Sequence, residues 1–397
     1  VRYARETLAL LYLKENRSSE AVSLLESMSQ DEAEPAQKAE LLSRIMDSYY
    51  AEGLIEKAAR TAQQILAVEF DDQITADRPY RLKEKALFIL GEIQVRSADN
   101  SDGIATLKAY LQRFPAGRFA VNAQLSLATI AFSAGDLERA KSQFAEVEKA
   151  ELTSEQRFLV MYYLANTHYS LREFKAARAL FEQIIALYPD NESADALYFG
   201  LGESSYQLGQ FEEAIEAYTV VLTDFIRSDN ADDALYNMAW CLIELERQEE
   251  AMKQFDLLLE LYPESEFAAS AQFTFGDYAY NAGQYKEALE AYSIVEERYQ
   301  TSAVAQQVPK LKKELTEAIA YDAYEKGLAL MDSAEVGNRV EYYEEAINVF
   351  NGIVEEYEGT ESALGALSNM GVCLEGIGKW NEAVRVYDQV IEMYEKE

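Results

Sequence analysis

Residues suited to covalent or metal chemistry are scarce in this chain: 397 positions hold two cysteines, one histidine and two tryptophans. Nothing in it matches a phosphate-binding loop, a paired-cysteine metal site or a zinc-protease helix. Proline is limited to six positions, which suits a mostly helical chain. No apolar run approaches the length of a membrane-spanning helix, so direct membrane insertion is excluded. Basic residues are also few, 36 against 70 acids, for a net charge of −34. The deficit is uneven. Residues 1–189 carry 27 acids and 23 bases, whereas residues 190–397 carry 43 acids and 13 bases. A field of this sign disfavours nucleic acid and steers basic partners. It also serves as a solvated face that keeps a long chain soluble, and both readings stand.

What the chain has in abundance is a rhythm. Ala21 and Ala58 lie 37 residues apart, and Gly103, Ala140, Ala177, Ala214, Ala251 and Ala288 continue at that step. Ala346 and Ala383 repeat it. Four residues after each comes a large apolar side chain in most copies: Leu25, Leu107, Phe144, Phe181, Tyr218, Phe255, Tyr292, Phe350 and Tyr387, with Ala62 as the exception. That spacing puts both residues on one helix face. Twelve residues before the small position stands another small residue, at Gly91, Ala128, Ala165, Gly202, Ala239, Gly276 and Gly371. Glycines between the two, such as Gly53, Gly135, Gly209, Gly283 and Gly378, break the chain into helix, tight turn, helix. Pro115, Pro189 and Pro263 end three copies. A fixed period of this size predicts an all-α array of about ten stacked helix-turn-helix repeats. Cys241 and Cys373 share one inward place in their repeats, and His168 occupies the inward place of Tyr12, Tyr49 and Leu242, so all three read as packing residues. Trp380 stands where Phe174, Phe211 and Tyr285 stand and reads as core.

On these residues the chain resembles the tetratricopeptide repeat (TPR) family, which implies a right-handed α-solenoid. Leu201-Gly202, Gly209, Phe211, Ala214, Tyr218 and the link after Phe225 fall where the family motif puts them. The stretches from Leu90-Gly91 to Pro115 and from Met370-Gly371 to Tyr387 match less completely. The family commonly uses a shorter period of 34, so three residues are added per unit here. Links such as Leu187-Tyr188-Pro189-Asp190 and Leu261-Tyr262-Pro263-Glu264 are similar to those of bacterial envelope proteins of the outer-membrane assembly and Tol-Pal type.

The rhythm breaks twice. Eight residues are added between Ala58 and Gly103, and the polar stretch 71–79 reads as an extra surface loop. Twenty-one are added between Ala288 and Ala346. Ala303 to Met331 reads as one long helix started or kinked at Pro309, followed by an extended loop from Asp332 to Val340. The organisation expected is therefore eight repeats over 1–300, an irregular helix and loop over 301–340, and the rest of a ninth and a tenth repeat over 341–397. A chain opening inside a repeat helix, without methionine, reads as a piece of a longer protein.

The family resemblance implies that first helices line a concave groove. Counting back from the aligned small residue gives the groove columns, and their central rows supply the candidate partner-binding residues Tyr162, Asn166, Tyr169, Phe199, Glu203, Tyr206, Tyr236, Trp240, Phe273, Asp277 and Tyr280. Rings give apolar contact and hold cations, and acids match Lys or Arg. A protein or peptide with basic and apolar residues would suit such a groove. Packing between repeats is the competing account of the first column, with Tyr162, Phe199, Tyr236 and Phe273, and of the third, with Tyr169, Tyr206 and Tyr280. No catalytic residue, cofactor or metal is expected. The function expected is a non-enzymatic scaffold or adaptor, with a self-assembly element and a regulatory arm of a larger enzyme as the alternatives. A periplasmic or envelope location follows from the second resemblance, with the cytoplasm left open.

Overall fold

A computed structural model describes residues 2–15, 17–74, 80–337 and 339–394. Among these residues all regular secondary structure is helical, and the chain divides into two compact units, Val1–Gln210 and Phe211–Glu397. The first holds α1 (Arg2–Lys14), α2 (Ser18–Asp31), α3 (Pro35–Ala51), α4 (Ile55–Ala67), α5 (Leu82–Gln94), α6 (Ser101–Arg113), α7 (Ala120–Ser133), α8 (Leu137–Val147), α9 (Ser154–Ser170), α10 (Phe174–Leu187) and α11 (Ala194–Gln207). The second holds α12 (Phe211–Asp224), α13 (Ala231–Glu244), α14 (Gln248–Leu261), α15 (Ala268–Asn281), α16 (Tyr285–Arg298), α17 (Val308–Gly337), α18 (Val340–Glu356), α19 (Glu361–Gly376) and α20 (Trp380–Tyr394). Odd and even helices alternate as first and second members of the repeat. Within each unit the repeats stack as a helical solenoid, because a single helix hairpin cannot bury its apolar faces alone.

The aligned small residues make that stacking possible. Ala58, Ala140, Ala177, Ala251, Ala288 and Ala346 are fully buried, and so are the rings four residues on, Phe144, Phe181, Phe255, Tyr292 and Phe350. Each ring presses on a residue without bulk. A Cβ on Gly276 would meet the Tyr292 ring at 2.4 Å, and one on Gly371 would meet Tyr387 at 2.5 Å. Burying one such ring contributes on the order of 1.5–3 kcal/mol.

The turn between first and second helix is a repeated left-handed cap. Gly53, Gly135, Gly209, Gly283 and Gly378 all have φ between 71° and 79°. The residue after each donates its N–H five residues back, as in Asp136 to Ala131 and Gln284 to Ala279, which satisfies orphan carbonyls at the helix end. Arg172 (φ 61°) and Glu246 (φ 59°) hold the same place in their repeats without being glycine, and make the same bonds through Glu173 and Arg247. After the second helix, prolines 115, 189 and 263 lie just beyond the last helical residue, as expected. The link tyrosines tie each link to the one before it. Tyr188 donates to the Ser154 carbonyl at 3.2 Å, Tyr299 to Pro263 at 3.4 Å, and Tyr262 to Ile226.

The stretch expected to be a loop over 332–340 is not one. The helix α17 opens with Pro309 in its first turn and runs on to Gly337, and of the described residues there only Arg339 lies outside a helix. The reason is helical phase. In this repeat the residue facing Phe350 is Gly327, whose Cβ would meet the ring at 2.3 Å. It lies 19 residues before Ala346 instead of 12, and seven residues are close to two full turns. The packing face is preserved, so the insertion is absorbed as helix. The expected loop over 71–79 falls largely outside the described residues; positions 71–74 are non-helical.

Candidate functional site

All eleven predicted groove residues lie on first helices, and each unit brings its own set together. In unit 1, Tyr162, Asn166 and Tyr169 lie on α9, and Phe199, Glu203 and Tyr206 on α11. All six are half-buried. The Tyr169 hydroxyl donates to Glu203 Oε2 at 2.8 Å, tying one first helix to the next. Burial, then the Glu203 carboxylate, pushes that hydroxyl up from its ordinary value. The Asn166 amide donates to the Tyr162 carbonyl at 2.8 Å, and the Tyr162 ring stacks on Phe158 at 6.0 Å. A second polar tie joins α5 and α7, where Ser126 Oγ donates to Glu92 Oε1 at 2.6 Å. Burial raises the Glu92 carboxyl, against the opposing pull of that hydrogen bond and of Arg96. Polar side chains thus link successive first helices across this face.

In unit 2, Tyr236 and Trp240 lie on α13, and Phe273, Asp277 and Tyr280 on α15. The Tyr236 ring stacks on Phe267 at 4.6 Å, and Trp240 meets Phe255 edge-on at 6.1 Å. Both are half-buried, so part of each ring serves packing between helices. Phe273 lies 5.1 Å from the Tyr292 ring. The Tyr292 hydroxyl donates to Asp277 Oδ1 at 2.5 Å, which leaves the exposed Asp277 carboxylate fixed in direction. Tyr280 is 43 % exposed, and Tyr278, which the column count missed, is 38 % exposed. The exposed part of this face therefore joins the Tyr280 ring to an oriented carboxylate. Tyr278 stands where Cys241 and Cys373 stand in their repeats, a place normally filled by small residues; its size was the signal available in the sequence.

The other singled-out residues divide. Cys241 and Cys373 are buried and form no disulfide, and burial, aided by Glu335, pushes the Cys373 thiol up to about 11. His168 is largely buried, with Nδ1 hydrogen-bonded to Glu173. Lys141 of the preceding repeat reaches the same carboxylate at 2.6 Å. The lysine first, and then the histidine, hold Glu173 below the usual carboxylate range. His168 is thus one member of a clamp between neighbouring repeats. Trp380 departs from expectation: it is 63 % exposed, because the side of α20 that carries Trp380, Val384 and Ile391 is not covered by another described helix. Among the described residues no group of three His, Cys, Asp or Glu is placed to hold a metal, and no helix is long and apolar enough to cross a membrane.

Comparison with known proteins agrees with this architecture. Two tetratricopeptide-repeat family models match residues 88–153 and 366–397, and the YfiO family, described as an outer membrane lipoprotein, matches residues 128–278. The C-terminal part of a TPR repeat-containing protein from Cytophaga hutchinsonii is 14% identical, with 67% of this chain and 98% of that one covered and a TM-score of 0.51. A tetratricopeptide repeat protein from Parabacteroides merdae is 14% identical over 70% of this chain and 99% of its own, with a TM-score of 0.43. MamA from Desulfovibrio magneticus is 16% identical over 46% and 96%, with a TM-score of 0.40. At these identities the likeness concerns the fold alone. No curated protein matches the sequence. The fold and its repeated face define a protein-interaction scaffold. The chain carries tetratricopeptide-repeat matches over residues 88–153 and 366–397, and over residues 128–278 it resembles the YfiO outer membrane lipoprotein family.

Proposed function

We propose that this chain is a non-catalytic adaptor in a bacterial envelope assembly, and that its first-helix face receives a peptide carrying basic and apolar residues. The observation that carries the reading is the exposed Tyr280 ring one helix turn from the oriented Asp277 carboxylate. A ring and a carboxylate on one face suit a lysine or arginine, whose stem lies on the ring while its charge meets the acid. The excess of acids over bases in residues 190–397 steers such a partner toward this unit. The match to outer membrane lipoproteins over residues 128–278 supports the envelope placement. The candidate rows of unit 1, with Tyr169 and Glu203 at their centre, offer the same chemistry within that unit. The blocks 1–300, 301–340 and 341–397 remain our reading of the repeat organisation.

The test is a titration of a labelled lysine- and leucine-rich peptide against the wild type, Trp240→Ala and Tyr280→Ala. Loss of a ring that anchors the peptide should weaken binding about tenfold or more. The affinity should also fall between low and high salt. Equal affinity in all three proteins, with unchanged helical spectra, sinks the reading. Tyr280→Ala is the cleaner variant, because Trp240 also packs on Phe255.

A further inference from the structure

In a chain with almost two acids for every base, an arginine without a carboxylate partner calls for an explanation. Among the described residues Arg81, Arg113 and Arg118 make no ion pair, and all three are exposed. Each is held over an aromatic ring instead. The Arg81 and Arg113 guanidinium groups lie 6.0 and 5.2 Å from the Phe114 ring centre, and that of Arg118 lies 5.7 Å from Tyr80. Lys85 shares the Tyr80 ring at 5.2 Å, and Lys83 lies over Phe70 at 5.0 Å. Two rings thus carry two cations each, although like charges gathered in this way repel.

The rings beneath them form one connected platform. Tyr80 meets Phe119 at 5.7 Å, Phe119 stacks on Phe88 at 5.0 Å, Phe88 meets Tyr110 at 5.9 Å, and Tyr110 meets Phe114 at 5.6 Å. The platform is pinned from below by Glu84, which is 3 % exposed. Its carboxylate accepts from the Tyr110 hydroxyl at 3.0 Å and from the Arg118 backbone N–H at 2.6 Å. Two other described acids beside the platform are occupied. Asp72 accepts from the first N–H groups of α5 at 2.8 and 2.9 Å, and Asp47 pairs with Lys85 at 2.5 Å.

We propose that this edge of unit 1, formed by the start of α5, the end of α6 and the link to α7, binds an acidic polypeptide segment through Arg81, Arg113 and Arg118. Guanidinium groups match carboxylates in a two-point fork, and rings that hold them in place reduce the ordering cost of binding. A short acidic segment is favoured over nucleic acid because the field of the whole protein repels a long polyanion, while a few carboxylates need only the local charge. This edge selects the opposite charge from the first-helix face, so the two proposals stand or fall separately.

The test is fluorescence anisotropy of a labelled glutamate-rich peptide against the full chain at low and high salt. Three comparison proteins are needed. One carries Arg81→Gln, Arg113→Gln and Arg118→Gln. A second carries the same three arginines changed to lysine. The third carries Arg44→Gln, Arg60→Gln and Arg139→Gln, which removes equal charge at arginines already 3.6–3.9 Å from carboxylates. We expect salt-sensitive binding to the wild type, weakened at least about tenfold in the first variant, by less in the second, and little in the third. Equal weakening in the first and third variants would reduce the effect to net charge and overturn the proposal. So would an oligonucleotide of matched charge binding as tightly as the peptide, or no binding by the wild type. If the glutamine variant melts early, the lysine variant, which keeps a cation at each ring, carries the comparison.

Discussion

Gly276 and Tyr292 show how an absent side chain sets a packing contact. A Cβ on Gly276 would lie 2.4 Å from a ring that is itself anchored to Asp277, so the ring cannot swing aside. Gly276→Ala should therefore destabilise the protein by about 1–3 kcal/mol in urea denaturation. Gly352 gives the contrast. It is exposed within α18 and has nothing within 4 Å of an added Cβ, so Gly352→Ala should stabilise by up to about 1 kcal/mol. Equal effects at the two sites would mean that helix propensity, and not the ring, decides. The 37-residue register already set a large apolar side chain four residues after the small one in most copies, so the packing rows were legible in the sequence, though not which ring meets which small residue. The arginine cluster over Phe114 and Tyr80 was not. It unites residues from three different elements, and only its coarse sign, the concentration of bases in residues 1–189, was visible.

At the scale of the helix pair, the cap between the helices carries the information. Five repeats meet its left-handed backbone with glycine, and two meet it with Arg172 and Glu246. A non-glycine residue held there costs about 1–2 kcal/mol, part of which glycine would return as greater freedom in the unfolded chain. Arg172→Gly and Glu246→Gly should each raise stability by about 0.5–1 kcal/mol, and their effects should add, since they lie in different units. Destabilisation by either variant would show that its side chain matters more than its backbone. Existence and order of the helices followed from periodicity, whereas the extent of α17 did not. Polar residues after Met331 suggested a loop, but two extra turns keep Gly327 under Phe350, and a helix that preserves its phase need not end. The exposure of Trp380 was hidden for a related reason: register identifies the face on which a ring lies, but not whether a neighbour covers it.

At the scale of the whole molecule, every helix contact described within a unit joins helices one or two apart along the chain. Stability in such an array is close to a sum of repeat and nearest-neighbour terms. The charge difference between residues 1–189 and 190–397 is a property of this scale too, because no single repeat displays it. The nearest-neighbour pattern also has a mechanical meaning. Pulled by its two ends, each unit should not rupture at once but peel, one repeat after another, at low force. The increments are set by the ruler in the sequence: a repeat of 37 residues releases about 12–13 nm of extended chain, and the 58-residue step that contains α17 releases about 19–21 nm. Optical-tweezer traces should show a ladder of near-equal rungs interrupted by two longer ones, about 15–16 nm for the 45-residue step from Ala58 to Gly103 and the longest for the step that contains α17, and a single cooperative rupture of each unit would contradict it. A chain built this way acts as a soft, graduated spring.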